Sequence, residues 1–370
     1  MTLSSLKEIM SNGGKYPIIM FFITGIVSGI VGSIYPVMLS DVLGVDGMIM
    51  ITSIGSLLGF FLSLLISKLD VGKSAKKMII MYMFFLMTYD TIVFLSVDGV
   101  IKDPFIPLAI GNSFVATSIM KRNELFEYLS MYQLGLKNRA KFTSVRTMAF
   151  HFGQIVGALL ISILPFYLAF IFIMVARIMF AIFMRKLRDV QIEKRLNFRF
   201  ERVGKYFIVI VLFYLALGIF ILTRGVYVDR IFGRKWVGVY MALNYSMLLF
   251  GVPYGLKFVV SGNIPKRVAI PTLITGLLFI ITSGNPYFTA IFAIAAVFML
   301  NISIWGVRHI MFKSVDKSKT HGIIFIVYMI SMFSRALMGL AVIAGVNTSL
   351  GFMLLGSFAM VVGSIVLLFK

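Results

Sequence analysis

The sequence predicts an all-α integral membrane fold, with twelve transmembrane helices arranged as two pseudo-symmetric six-helix bundles. Three observations predict it. The composition suits lipid as the solvent, apolar runs of spanning length recur along the whole chain, and basic residues alternate in step with those runs.

Of the 370 residues, 60% are apolar and only 13% charged, and the mean hydropathy is +0.99. A soluble domain is about half apolar and about a quarter charged. This chain could not cover its apolar surface in water. A spanning helix takes roughly 20 apolar residues, so about a dozen fit with short turns between them, which excludes large extramembrane domains. There is no cysteine, hence no disulfide or thiolate chemistry. The first 16 residues are polar and pass straight into a long apolar stretch without a small-residue cleavage site. That stretch reads as a retained first span. The net charge of +21 is expected to sit in cytoplasmic loops rather than to mark a nucleic-acid binder.

The apolar runs are 17–40, 47–67, 78–96, 104–120, 142–164, 166–184, 206–223, 236–256, 268–283, 287–307, 322–345 and 348–369. Pro107 and Pro271 interrupt two of them, as a membrane bundle tolerates. With the N-terminus inside, 27 of the 35 Lys and Arg fall in inside segments, five in outside loops and three within spans. An error of one span would scramble this alternation. It therefore supports both the span count and an orientation with both termini cytoplasmic, as in a multi-pass cell-membrane protein. The long inside loop 185–205 carries eight bases, more than any other, and divides the chain into six spans and six. The expected organisation is an N-terminal half (1–184), a basic cytoplasmic linker (185–205) and a C-terminal half (206–370). A weak repeat at 182 positions pairs Lys137 with Lys319, Arg139 with His321 and Gly157 with Gly339. It accords with internal duplication.

The architecture resembles the major facilitator superfamily. Lys137-Asn138-Arg139-Ala140, through Arg146 to Gly153 and Gly157, is similar to that family's charged turn and fifth helix, whose glycines let the two halves pack closely. Asp70-Val71-Gly72-Lys73, with Lys76 and Lys77, resembles the family's acidic-glycine-basic loop, whose acid meets helix-end charges and latches the cytoplasmic side. The resemblance makes Asp70, Gly72, Lys73, Arg139 and Arg146 candidates for a gating loop. Three departures stand out. Val71 occupies an arginine position, the matching loop Ser261–Arg267 has no acid, and Ala158 stands where antiporters carry proline.

Ionisable residues at membrane depth are costly and are candidates for function. Arg335 lies about thirteen residues, or roughly 20 Å, into its span. On the family's layout its helix borders the central cavity. A guanidinium there would hold a carboxylate or phosphate, or else lock neighbouring helices. Arg146 is expected to snorkel or to latch a loop acid. Asp90, the one acid near mid-span, is either the counter-ion of Arg177 or Arg146, or a proton-coupling group. His151, near Gln154, is a packing element or a second coupling candidate. On the family's layout the cavity-lining spans offer Asn112, Ser113, Thr117, Tyr214, Asn301 and Trp305, with Asn244 and Tyr245 beside them. Each of these could instead serve interhelical hydrogen bonding.

No phosphate-cradling glycine loop is present, which weighs against an ATP-driven pump. Three histidines without ligand spacing offer no metal site, and no hydrolytic constellation or cofactor motif appears. The expected function is secondary transport of a small solute, with an organic anion favoured by the arginine-rich interior. The partners are that solute, the bilayer, and protons or another coupling ion. A proton-coupled multidrug exporter and a non-transporting receptor or lipid-handling protein are the alternatives.

Overall fold

The computed structural model describes residues 14–70, 72–134, 139–192, 204–260, 264–313 and 320–369. Helix α1 (residues 15–43) runs into α2 (45–69) at Gly44, whose φ of 75° breaks the helical path between them. Glycine holds that left-handed value without steric cost. Next come α3 (Ala75–Val97), α4 (Phe105–Leu134), α5 (Arg139–Ile161) and α6 (Phe166–Met184). They are followed by α7 (Gly204–Phe232), α8 (Lys235–Val260), α9 (Ile264–Thr282) and α10 (Pro286–Lys313). The eleventh span is split at Leu337 into α11 (Thr320–Ala336) and α12 (Met338–Ile343), and α13 (Ser349–Leu368) forms the twelfth. Every expected span thus holds helix; among the described residues seven helical stretches, with α1–α2 taken as one and α11–α12 as one, are long and apolar enough to cross a membrane by length and composition alone. Among the described residues no β-strand forms, and one isolated bridge pairs Ser74 with Gln191.

Local chemistry sets the helix ends. The Ser74 hydroxyl accepts from the Lys77 N–H at 3.1 Å and caps α3, and Thr348 caps α13 through the Gly351 N–H. Asn285 Oδ1 accepts from the N–H groups of Tyr287 and Phe288 at the start of α10. Such side chains satisfy amides that a helix leaves open.

The helices also overrun the apolar runs. α4 continues to Leu134 instead of stopping near residue 120, and α7 to Phe232 instead of residue 223. Lys121 and Arg122, expected in a loop, lie on α4 and are buried; Arg224, assigned to an outside loop, is buried on α7. Hydropathy marks where lipid ends, while helical hydrogen bonding continues wherever charges find partners.

The described residues pack as two compact units. The first comprises the described parts of Met1–Tyr35, Phe61–Lys194 and Val237–Leu249. Its tightest seam joins α1 to α5. A Cβ on Gly25 would meet the Phe150 carbonyl, and one on Gly29 the backbone of Gln154. On the other side, Gly153 faces the backbone of Phe22 and Ile26, and Gly157 that of Ile26. Gly153 and Gly157, which the family resemblance implied serve the packing of two halves, here meet Gly25 and Gly29 at a backbone contact between α1 and α5 of one unit. Gly238 of α8 approaches Ala158 and Ser162 on α5.

The second unit comprises the described parts of Pro36–Phe60, Arg195–Trp236 and Phe250–Lys370. Its core interleaves Phe213 and Phe220 of α7 with Phe279 of α9, Leu300 of α10, Val327 of α11 and Met360 of α13. The Phe220 and Phe279 rings meet edge to face at 5.2 Å, a favoured aromatic geometry. Thr272 and Ser303 share a 2.6 Å hydrogen bond between α9 and α10.

Candidate functional site

In the first unit the acidic-glycine-basic loop is built on both sides. Asp70 is buried at the end of α2, where its carboxylate accepts from the Tyr82 hydroxyl at 3.0 Å and faces Lys121 Nζ of α4 at 4.0 Å. Gly72 turns the loop with φ of 78°, and Lys73 is exposed beyond it. The opposite edge pairs with residues 185–192, the start of the predicted linker. Gly72 N–H donates to the Ile192 carbonyl, Ile192 N–H to Lys73, and Ala75 N–H to Val190, each at 2.9 Å. The Ser74 hydroxyl donates to Asp189 at 2.5 Å, and the Lys76 N–H donates to its other oxygen at 3.2 Å. Lys76 Nζ donates to the Arg185 and Leu187 carbonyls, closing the C-terminal end of α6. Leu187 and Ile192 are buried as apolar pegs. This strap was invisible to hydropathy, because its pairing runs through backbone atoms more than 100 residues apart in sequence.

Partial burial works to raise the Asp189 carboxyl pKa. The hydrogen bonds from Ser74, Lys76 and Val190, with the Lys76 charge, outweigh it and hold the group below its usual value. A depressed folded-state pKa stabilises the strap above the unfolded carboxylate value of about 3.9, and that contribution is lost as pH falls through the folded value. The protection factors of the Gly72 and Ala75 amides, taken against intrinsic exchange at each pH, are therefore expected to fall below about pH 4 in the native chain. An Asp189→Ala variant should show the lowered protection already at neutral pH. Equal protection of the two proteins at neutral pH would disprove the contribution.

Deeper in this unit, Asp90 of α3 is saturated. Arg177 of α6 reaches it through Nε at 2.5 Å and Nη2 at 3.1 Å, and the Tyr35 hydroxyl of α1 donates at 2.9 Å. Of the counter-ion and coupling expectations, this geometry supplies the Arg177 pair. Arg146 is buried, with its guanidinium carbon 5.3 Å from the centre of the Phe21 ring, within cation–π range. His151 Nδ1 lies 2.7 Å from Gln154 Oε1, and Gln154 Nε2 donates to Ser28 on α1 at 3.1 Å.

Of the polar candidates here, Asn112 is half-buried on α4. Ser113 and Thr117 donate to carbonyls of their own helix. Tyr245 of α8 is buried with its hydroxyl against Gly32 of α1. Asn244 is fully buried, and neither polar atom of its amide has a hydrogen-bond partner among the described residues. A buried amide in that state is a costly feature and asks for a water or a ligand group.

In the second unit Arg335 lies on α11 beside Tyr214 of α7. Gly218 on α7 leaves room for its stem, since a Cβ there would sit 3.4 Å from Arg335 Cγ. Among the described residues no hydrogen bond or carboxylate engages the Arg335 guanidinium. Just beyond it the helix breaks at Leu337. Ser53 of α2 fills the break, donating to the Ala336 carbonyl and accepting from the Gly339 N–H. On α10, Asn301 Nδ2 donates to the Val297 carbonyl of its own helix, and Trp305 is half-buried. The side chain of Arg139, residues Lys137, Asn138 and Lys319, and the side chains of Arg308, His309 and His321 lie outside the described residues.

No protein-family model matches the chain, and no curated protein matches it in sequence. Solved structures do. The nucleoside transporter NupG superposes with a TM-score of 0.68 at 14% identity, over 96% of this chain and 98% of that one. The human organic anion transporter MFSD10 gives 0.67 at 11% identity, over 95% and 98%. A bacterial homologue of the human lysosomal transporter Spinster, in an inward-facing unoccupied conformation, gives 0.65 at 12%, over 100% and 96%. The chain therefore has the major facilitator fold, a multi-pass helical membrane architecture.

Proposed function

We propose that this protein is a secondary transporter of a small organic anion, working by alternating access, with Arg335 as the anion's anchor. The observation that carries the substrate class is a guanidinium at membrane depth without a carboxylate partner among the described residues, beside a tyrosine hydroxyl. An uncompensated cation in that position is expensive. A substrate carboxylate or phosphate would compensate it through paired hydrogen bonds, with Tyr214 as a further donor. The solved structures of like fold are transporters of several substrate classes, one of organic anions, which supports transport more than any single cargo. Proton-coupled drug export would need an available acid in the cavity, and the Asp90 carboxylate is held on both oxygens. Asn244 is proposed as a polar contact for substrate or water in the first unit. Asp70 is proposed as the latch of its loop. The halves on either side of the basic linker are taken as the moving bodies, and the charge asymmetry supports a cell-membrane protein with both termini in the cytoplasm.

Thermal unfolding in detergent, with panels of small anions, cations and neutral sugars, tests the substrate class. A bound anion at a hundred times its dissociation constant should stabilise by about 2.7 kcal/mol. In Arg335→Ala that gain should vanish, and in Arg335→Lys it should be partly kept. Stabilisation by cations or sugars that survives the alanine substitution overturns the anion assignment.

A further inference from the structure

The strap does more than close a loop. It gathers bases from two distant segments onto one end of the first unit: Lys73 and Lys77 from the loop and the start of α3, Arg185 and Lys186 from the end of α6. All four are exposed, and none has a carboxylate partner among the described residues. The nearby acids are committed elsewhere, Asp70 to Tyr82 and Lys121, and Asp189 to Ser74 and backbone amides.

Below these bases run two exposed apolar stripes. Lys77, Met81 and Phe84 follow at four and three residues on one face of α3, with Phe84 67% exposed. Ile178 and Ile182 precede Arg185 and Lys186 at the same kind of spacing on α6, with Ile182 55% exposed. α3 and α6 lie side by side, joined by the Asp90–Arg177 pair and by the stacked rings of Phe94 and Phe170, 4.5 Å apart. Bases at the ends of paired helices, continued by apolar stripes about two helical turns long, match a molecule with an anionic head and acyl tails.

We infer that this surface is a binding site for an anionic phospholipid of the inner leaflet, its phosphate among Lys73, Lys77, Arg185 and Lys186 and its chains along α3 and α6. Assignment to the inner leaflet rests on the orientation proposed above; the site itself does not depend on transport or on the anion anchor. The charge complementarity differs from the general basicity of the chain because it depends on the strap. Breaking the strap should scatter the bases although the net charge becomes more positive.

Native mass spectrometry of the full-length protein in detergent, titrated with phosphatidylglycerol and with phosphatidylcholine, tests the site. Phosphatidylglycerol should be retained in preference. Each base near a membrane surface is worth about 1 kcal/mol, so Lys77→Gln/Arg185→Gln should weaken retention roughly thirtyfold. Lys266→Gln/Arg267→Gln removes the same charge from exposed positions outside the site and should leave retention nearly unchanged. Asp189→Ala should weaken it despite the gain in positive charge. Equal weakening by both base pairs, or tighter binding by Asp189→Ala, would show diffuse attraction and overturn the site. Glycerol phosphate or inorganic phosphate displacing the lipid at equal concentration would overturn the lipid assignment in favour of a soluble anion. Lys186→Cys, in a chain that has no cysteine of its own, reports the leaflet independently. Labelling from outside the cell would overturn the inner-leaflet assignment alone.

Discussion

Asp90→Ala is expected to destabilise the protein by about 3–5 kcal/mol, the typical result of removing one partner from a buried ion pair. The substitution strands Arg177, which is 5% exposed, between α3 and α6 with no second acid at mid-span. The same physics makes a double replacement far milder. A pair of apolar side chains of similar volume, as in Asp90→Leu/Arg177→Met, removes both desolvation costs at once and should recover most of the loss. Tyr35→Phe deletes one hydrogen bond to a charged group and should cost about 1.5–3 kcal/mol. Unfolding in detergent checks the series. A double variant as unstable as the single one would show that the pair is not what fails. The double variant also separates the two roles set out for Asp90. If it is stable and still couples uptake to a proton gradient, the carboxylate is a structural lock; if coupling alone disappears, it carries the proton.

Gly157→Ala should be nearly as damaging, although it adds a single methyl group. The new Cβ would fall on the backbone of Ile26, and a helix backbone cannot move aside as a flexible side chain can. Overpacking of this kind costs about 1–3 kcal/mol, and more where the obstacle is rigid. Gly284→Ala, whose Cβ meets nothing within 4 Å, is the control and should be near neutral. Because Gly25, Gly29, Gly153 and Gly157 form one seam, paired substitutions across it should combine non-additively. Melting temperatures of the four single variants and of Gly25→Ala/Gly157→Ala settle this. Four neutral substitutions would mean that α1 and α5 are not in backbone contact.

The transmembrane plan was legible because lipid imposes a simple rule: a span must be apolar and must satisfy its own backbone. Phe166–Met184 follows from that rule to the residue. The overruns at α4 and α7 were not legible, because Lys121 and Arg224 read as loop residues until the fold buries them. Among the candidate residues, Asp90 and Arg177 could be listed as a possible pair, but no local pattern separates that pairing from one with Arg146. Only the packing of α3 on α6 does so. The strap left still less trace. Asp189 is one acid in a basic stretch, and its importance comes from Ser74 and Lys76, which a window along the chain never sees together. Arg335 was legible as an anomaly, and the structure adds its neighbours, Tyr214 and Gly218.

The break at Leu337 has a consequence for how the eleventh span can move. A continuous α-helix resists bending because each turn is tied to the next by its own backbone. Here Ser53 stands in at the joint, its hydroxyl accepting from the Gly339 N–H and donating to the Ala336 carbonyl. Backbone bonds from Leu337 to Phe333 and from Leu340 to Leu337 still cross that joint, and a hydroxyl on another helix supplies the rest of its bonding. A change at position 53 would therefore be felt in the eleventh span, although the two residues that it holds lie 283 and 286 positions away in sequence.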